Sequence, residues 1–192
     1  FEDMPKTDPT IFSETTIDGP RTRRWVLECV DCPEFDTHRI ARLGVEEAVA
    51  PYRRVRVQPA GSFFLATTEG EGRILLDGKW QRVTPGSLFM APPRVLNAFY
   101  AVGSKTWRFA WLRYTEPPYV RPLVGAESPV RAPGGGTELA AALQRSIIEV
   151  LRPRSLCTYS WNSLGLDTSA AISSRLWDST GPPGVLPGWW RM

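Results

Sequence analysis

Between residues 52 and 114, apolar and polar side chains alternate in short runs. Gly or Pro interrupts these runs about every 8 to 12 residues, the spacing of an all-β sandwich or barrel. Along residues 52–57 the alternation puts Arg53, Val55 and Val57 on one side and Tyr52, Arg54 and Arg56 on the other. Residues 62–68 are β-prone. Gly70 and Gly72 bracket a turn, and residues 73–76 and 80–83 read as a hairpin. Its loop, Asp77-Gly78, tolerates the positive φ that tight hairpins require. Thr84-Pro85-Gly86-Ser87 is a second tight turn, with Gly at its third position. Residues 88–91 form a short apolar strand that Pro92-Pro93 stops. Residues 95–102 and 106–114 complete the set.

The flanks follow other patterns. Residues 1–24 are polar, hold Pro5, Pro9 and Pro20, and read as an N-terminal arm or poorly ordered entry segment. Trp25-Val26-Leu27 opens a barrel expected over residues 25–116, with residues 40–45 as a strand or turn at its rim. Residues 117–136 are a Pro- and Gly-rich linker. A helix is predicted over 137–152. Thr137 is placed to cap it, Glu138 suits its positive end, and Leu139, Leu143, Ile147, Val150 and Leu151 fall on one stripe. Residues 153–192 hold no Glu, no Lys and four of the eight Trp. They read either as a tail that packs through its tryptophans or as the product of a shifted reading frame.

Composition narrows the class. The 42% apolar content supports a core, and 18 Pro with 16 Gly favour a turn-rich β protein. The net charge of +3 is dispersed; of the 23 basic residues, all but Lys6, Lys79 and Lys105 are Arg. That scatter fits a solvated surface better than a nucleic-acid stripe. No run of about 18 apolar residues is present, so no membrane span is expected. No basic and apolar leader opens the sequence, so a reducing cytoplasm is the expected location. Cys29 and Cys32 read as structural thiols, since a zinc site needs a second pair and only Cys157 remains.

Several phrases taken in order carry a resemblance. They are residues 67–72, Asp77-Gly78-Lys79-Trp80, residues 85–93, and Trp107-Arg108-Phe109-Ala110-Trp111. Together they resemble the N-terminal ligand-binding and dimerisation domain of AraC-type transcription regulators. The resemblance implies a mainly β, cupin-like double-stranded β-helix (a jelly-roll barrel), with an N-terminal arm and a C-terminal helix that dimerises. The family carries helix-turn-helix units after this domain. Nothing like them is seen here, so DNA contact is expected only through a region missing from the chain.

Cupin barrels that do metal chemistry use two or three His. This chain has one, His38, upstream of the barrel strands, and Asn97 stands where the family often has His. A His-based metal site therefore has no ligand set here, and no cofactor is expected. On the last strand Trp107, Phe109, Trp111 and Arg113 share a face by period two. The resemblance implies that Trp111 stacks on a ligand. It also implies that Phe109 replaces a ligand-contacting His, that Phe99 matches a Tyr near the pocket mouth, and that Glu69 replaces a ligand-binding Arg. Thr67 shares Glu69's face by alternation. Two readings of the aromatics stay open: a platform for a ligand, or side chains that fill a small barrel.

The expected ligand-binding set is thus Trp111, Glu69, Asn97, Phe99, Phe109 and Thr67. The expected function is non-enzymatic sensing of a small-molecule effector, a carbohydrate by preference, by a homodimer. Two alternatives stand beside it: a metal-independent sugar isomerase or epimerase with Glu69 as base, and a stand-alone carbohydrate-binding module.

Overall fold

The computed structural model describes residues 12–132 and 134–151. In chain order the elements are β1 (Thr15–Ile17), β2 (Arg23–Glu28), the one-turn helix α1 (Glu34–Thr37), β3 (Ile40–Ala48), β4 (Arg53–Arg56), β5 (Phe63–Glu69) and β6 (Gly72–Leu76). They continue with β7 (Lys79–Val83), β8 (Leu88–Ala91), β9 (Asn97–Ala101), β10 (Trp107–Tyr114), β11 (Val130–Ala132) and α2 (Gly136–Leu151).

The strands form two antiparallel sheets, ordered β1-β4-β9-β6-β7 and β11-β8-β5-β10-β3-β2. From β3 to β10 the chain passes back and forth between them, four strands to each, which is the jelly-roll arrangement of the cupin fold. The expected mainly β, cupin-like class is therefore observed, with the C-terminal helix in place.

The predicted turns sit where their chemistry requires. Asp77 and Gly78 have φ of 50° and 71° and join β6 to β7 with Leu76 opposite Lys79. Gly86 has φ of 84°, and Ser87 N–H bonds Thr84 O at 3.0 Å. Residues 40–45, read as a strand or turn at the rim, are the first part of the longer strand β3. That strand pairs with β10 on one side from Ile40 to Ala48 and with β2 on the other from Arg42 to Glu47. Part of the stretch read as an arm is also paired: β1 extends one sheet, and Arg23 begins β2. Within the Pro- and Gly-rich stretch, β11 pairs with β8.

Apolar side chains form three layers. One fills the space between the sheets: Phe63, Leu65, Phe89, Phe99, Trp107, Phe109 and Trp111 among others. A second lies on the outside of the six-stranded sheet, where Leu139, Ala140, Leu143 and Ile147 of α2 cover Leu43, Phe64, Ala66, Ala110 and Leu112. A smaller one, around Val55, Leu75 and Ala98, lies on the outside of the other sheet under Phe12 and Trp80.

Two details of the helix reading change. The helix starts at Gly136, so Thr137 lies inside its first turn instead of capping it. The apolar stripe of the helix that the resemblance implies dimerises packs on the chain's own sheet, because the outer face of β5 and β10 is itself apolar and needs a cover. Residues 1–11 and 152–192, which include the atypical tail, lie outside the described residues.

Candidate functional site

Strand alternation selects what enters the barrel. On β10, Trp107, Phe109 and Trp111 face inward while Ala110 and Leu112 face α2, and Arg113, opposite the inward Phe63, continues the inner side. Pairing with β3 sets Trp107 opposite Ala48, Phe109 opposite Glu46, Trp111 opposite Gly44 and Arg113 opposite Arg42. Two glycines make room for the tryptophans. A Cβ on Gly44 would meet Trp111 Cε2 at 2.7 Å, and one on Gly72 would meet the Trp107 ring at 2.6 Å.

Much of the interior is filled by rings in contact. Phe63 and Phe99 stack at 5.4 Å and 8°, Trp107 and Phe109 lie 4.3 Å apart, and Trp111 reaches Phe63 at 6.3 Å. Phe99, Phe109 and Trp107 are thus embedded in an aromatic core. Thr67 is fully buried, and its Oγ1 accepts a hydrogen bond from Trp107 Nε1 at 3.2 Å.

Other inward groups are polar and unsatisfied. Asn97 is fully buried on the inner face of β9, and neither its Oδ1 nor its Nδ2 has a protein hydrogen-bond partner. Trp111 Nε1 and Glu46 Oε2 are also buried without a closed hydrogen bond. The opposite oxygen of Glu46 lies 3.0 Å from Arg24 Nε. Burial pushes the Glu46 carboxyl above the usual glutamate range. Hydrogen bonding from Tyr52, the Arg24 charge and hydrogen bonding from the Trp111 indole, looser than a standard bond, pull it back only in part. Tyr52 is itself held well above an ordinary tyrosine by burial and by the Glu46 charge. Glu46 and Tyr52 were missed in the sequence. The available signal was the alternation Leu43-Gly44-Val45-Glu46, which leaves Glu46 on the side away from the apolar residues.

Glu69 is the main correction. Alternation from Leu65 and Thr67 predicts an inward side chain. A register shift between Arg108 and Phe109 makes Thr68 the extra residue and turns Glu69 outward, opposite Arg108. There it is exposed and ion-paired with Arg108 at 2.7 Å, while Arg108 also holds Glu47. It neither joins Trp111 and Asn97 nor serves as a base inside the barrel. His38 follows α1, on the surface of the molecule. Cys29 is exposed, whereas Cys32 is buried with its thiol 3.3 Å from Glu34 Oε2. Among the described residues, no three His, Cys, Asp or Glu stand close enough together to hold a metal.

The seam between the sheets is closed by charge. Asp18, just after β1, bonds both Arg24 of β2 and the buried Arg54 of β4, and Arg24 continues to Glu46. Arg54 also lies over the Tyr52 ring at 4.5 Å and donates to Ile17 O at 2.9 Å.

Residues 58–173, more than half of the chain, match the model of the AraC-like ligand binding domain. Among solved structures, the chain is similar to the Cupin_2 domain of an XRE family transcriptional regulator from Enterobacter cloacae, at 16% identity over 50% of this chain and 98% of that one, with a TM-score of 0.42. It is similar to a cupin superfamily protein from Desulfitobacterium hafniense DCB-2, at 11% identity over 56% of this chain and 86% of that one, with a TM-score of 0.40. It is also similar to an HTH_3 family transcriptional regulator from Vibrio cholerae, at 10% identity and a TM-score of 0.43; it spans 56% of that protein with 54% of itself. No curated protein matches the chain.

Proposed function

The chain belongs to the family of AraC-like ligand binding domains, and from that premise we propose that it is the effector-sensing and dimerising part of a cytoplasmic transcription regulator, without catalytic activity of its own. The effector enters the jelly roll between the two sheets and stacks on Trp111, with a carbohydrate-like body as the preferred class. The observation that carries this reading is Asn97, fully buried on the inner wall with neither Oδ1 nor Nδ2 bonded to the protein. Buried polar atoms are nearly always hydrogen-bonded. An amide left open on the inner wall of a barrel is what a polyhydroxylated ligand, or water in its place, satisfies. An aromatic face beside amide and carboxylate groups is the combination that holds a sugar ring. Glu69, now outside, has no part in it.

Effector binding favours one of two states of the segments that border the barrel, as differential affinity requires. The covered side of α2 is used within the chain. Dimerisation therefore falls to its outer side, where Ile148 is 53% exposed. The test is titration with a panel of neutral and acidic sugars, following tryptophan emission and melting temperature. A saturable response that disappears in Trp111→Ala is expected. A panel without any response, or an undiminished response in Trp111→Ala, overturns the reading.

A further inference from the structure

At one end of the barrel the inward faces of three strands finish in arginine. Arg113 follows Trp111 on β10, Arg42 stands directly opposite it on β3, and Arg56 closes the inner face of β4. Arg56 stands opposite Asn97, whose amide has no protein partner, in the β4–β9 ladder. Arg56 Nε is itself buried without a hydrogen-bond partner.

Two carboxylates border the cluster without forming an ion pair with Arg56 or Arg113. Glu28 lies 3.0 Å from Arg42 Nε. Glu14, which is within electrostatic reach of Arg113, accepts the Val57 N–H at 2.8 Å. Among the described residues, neither Arg56 nor Arg113 has a carboxylate within ion-pair distance. Burial, then the Arg56 and Arg42 charges, depress the Arg113 pKa. Like charges gathered at the mouth of an apolar barrel are unfavourable unless something of opposite sign is bound there.

We propose that this mouth recognises an oxyanion: Arg56 and Arg113 grip a carboxylate or phosphate of the effector, Asn97 donates to it, and the rest of the molecule lies on Trp111. The guanidinium fork suits both groups, because each presents two oxygens to paired N–H donors. This inference rests on the sensor reading and narrows it, from a carbohydrate-like molecule to an acidic one.

The experiment compares galactose, galacturonate and galactose 6-phosphate, with acetate and inorganic phosphate as minimal probes. They are added to the full chain and to its Arg56→Gln and Arg113→Gln variants. Melting temperature and tryptophan emission are followed at low and high salt. The acidic sugars are expected to bind the wild type, and their affinity to fall as salt rises. Either substitution weakens them by roughly tenfold or more. The stronger of the two acids identifies the group. Without ligand, each variant is expected to melt higher than the wild type, because a like charge has been removed. Equal binding of galactose and its acids, unchanged in both variants, overturns the oxyanion and leaves the sensor intact. If no probe shifts the wild type more than the variants, and neither variant melts higher, the oxyanion is likewise rejected. A response in Trp111→Ala equal to that of the wild type counts against the sensor reading itself.

Discussion

Two pairs of side chains show how position inside the fold sets chemistry. Cys29 and Cys32 are only three positions apart, yet Cys29 is exposed and Cys32 is buried. Burial first, and then the Glu34 carboxylate, push the Cys32 thiol up to about 12. At pH 8 iodoacetamide is therefore expected to modify Cys29 and spare Cys32, because the thiolate is the nucleophile. Peptide mass mapping reads this directly, and labelling of Cys32 in folded protein would contradict it. Glu46 and Glu47 are adjacent and face opposite ways. Glu47 meets Arg108 outside, while burial inside raises the Glu46 pKa. A raised value means that the folded state takes up the proton first. The stabilising contribution is full below the ordinary glutamate value of about 4.3 and is lost as pH rises through the raised one. Glu46→Gln removes that loss. Its melting temperature relative to wild type is expected to climb across this window; a flat difference from pH 4 to 8 argues against a raised carboxyl.

Among the elements, α2 is the clearest case of a pattern with two meanings. The stripe at Leu139, Leu143 and Ile147 is what an amphipathic helix needs, and its period does not say whose surface it covers. The same chain's β5 and β10 present Phe64, Ala66, Ala110 and Leu112 on the facing side, and the helix packs there. Leu143→Ala removes a fully buried side chain and is expected to cost about 2–5 kcal/mol. Ile148→Ala, on the exposed side, is expected to stay within about 0.5 kcal/mol. Denaturant unfolding of the two variants separates these positions. Sedimentation of Ile148→Glu, monomeric where the wild type is a dimer, would tie the outer side to assembly.

For the whole molecule, the seam decides whether two sheets behave as one body. Asp18 bonds Arg24 of one sheet and Arg54 of the other, and Arg54 is almost fully buried. Asp18→Asn leaves that guanidinium buried without its counter-charge, which is expected to destabilise the fold by about 1–3 kcal/mol. A further readout is exchange of β1 and β2 amides, which should quicken relative to the centre of β10. Unchanged exchange would mean that the seam is held by apolar packing alone. The Arg42, Arg56 and Arg113 cluster belongs to this scale too, since it exists only where β3 and β10 of one sheet face β4 of the other.

Sequence by itself determined the strand series and its turns, because φ at Asp77-Gly78 and Gly86 is a local steric matter and period two is written residue by residue. It determined the shared face of Trp107, Phe109 and Trp111 for the same reason, and it put Asn97 within the strand read over residues 95–102. Only the tertiary structure decided which inward residues meet. A single extra residue at Thr68 carried Glu69 out of the barrel, a shift that alternation cannot register. Pairing across β3, β10 and β2 brought in Glu46, just past the segment read as rim, and Arg24 from the segment read as an arm. The Arg56–Arg113 juxtaposition also depends on contacts between residues far apart in the chain, where composition shows only scattered arginines.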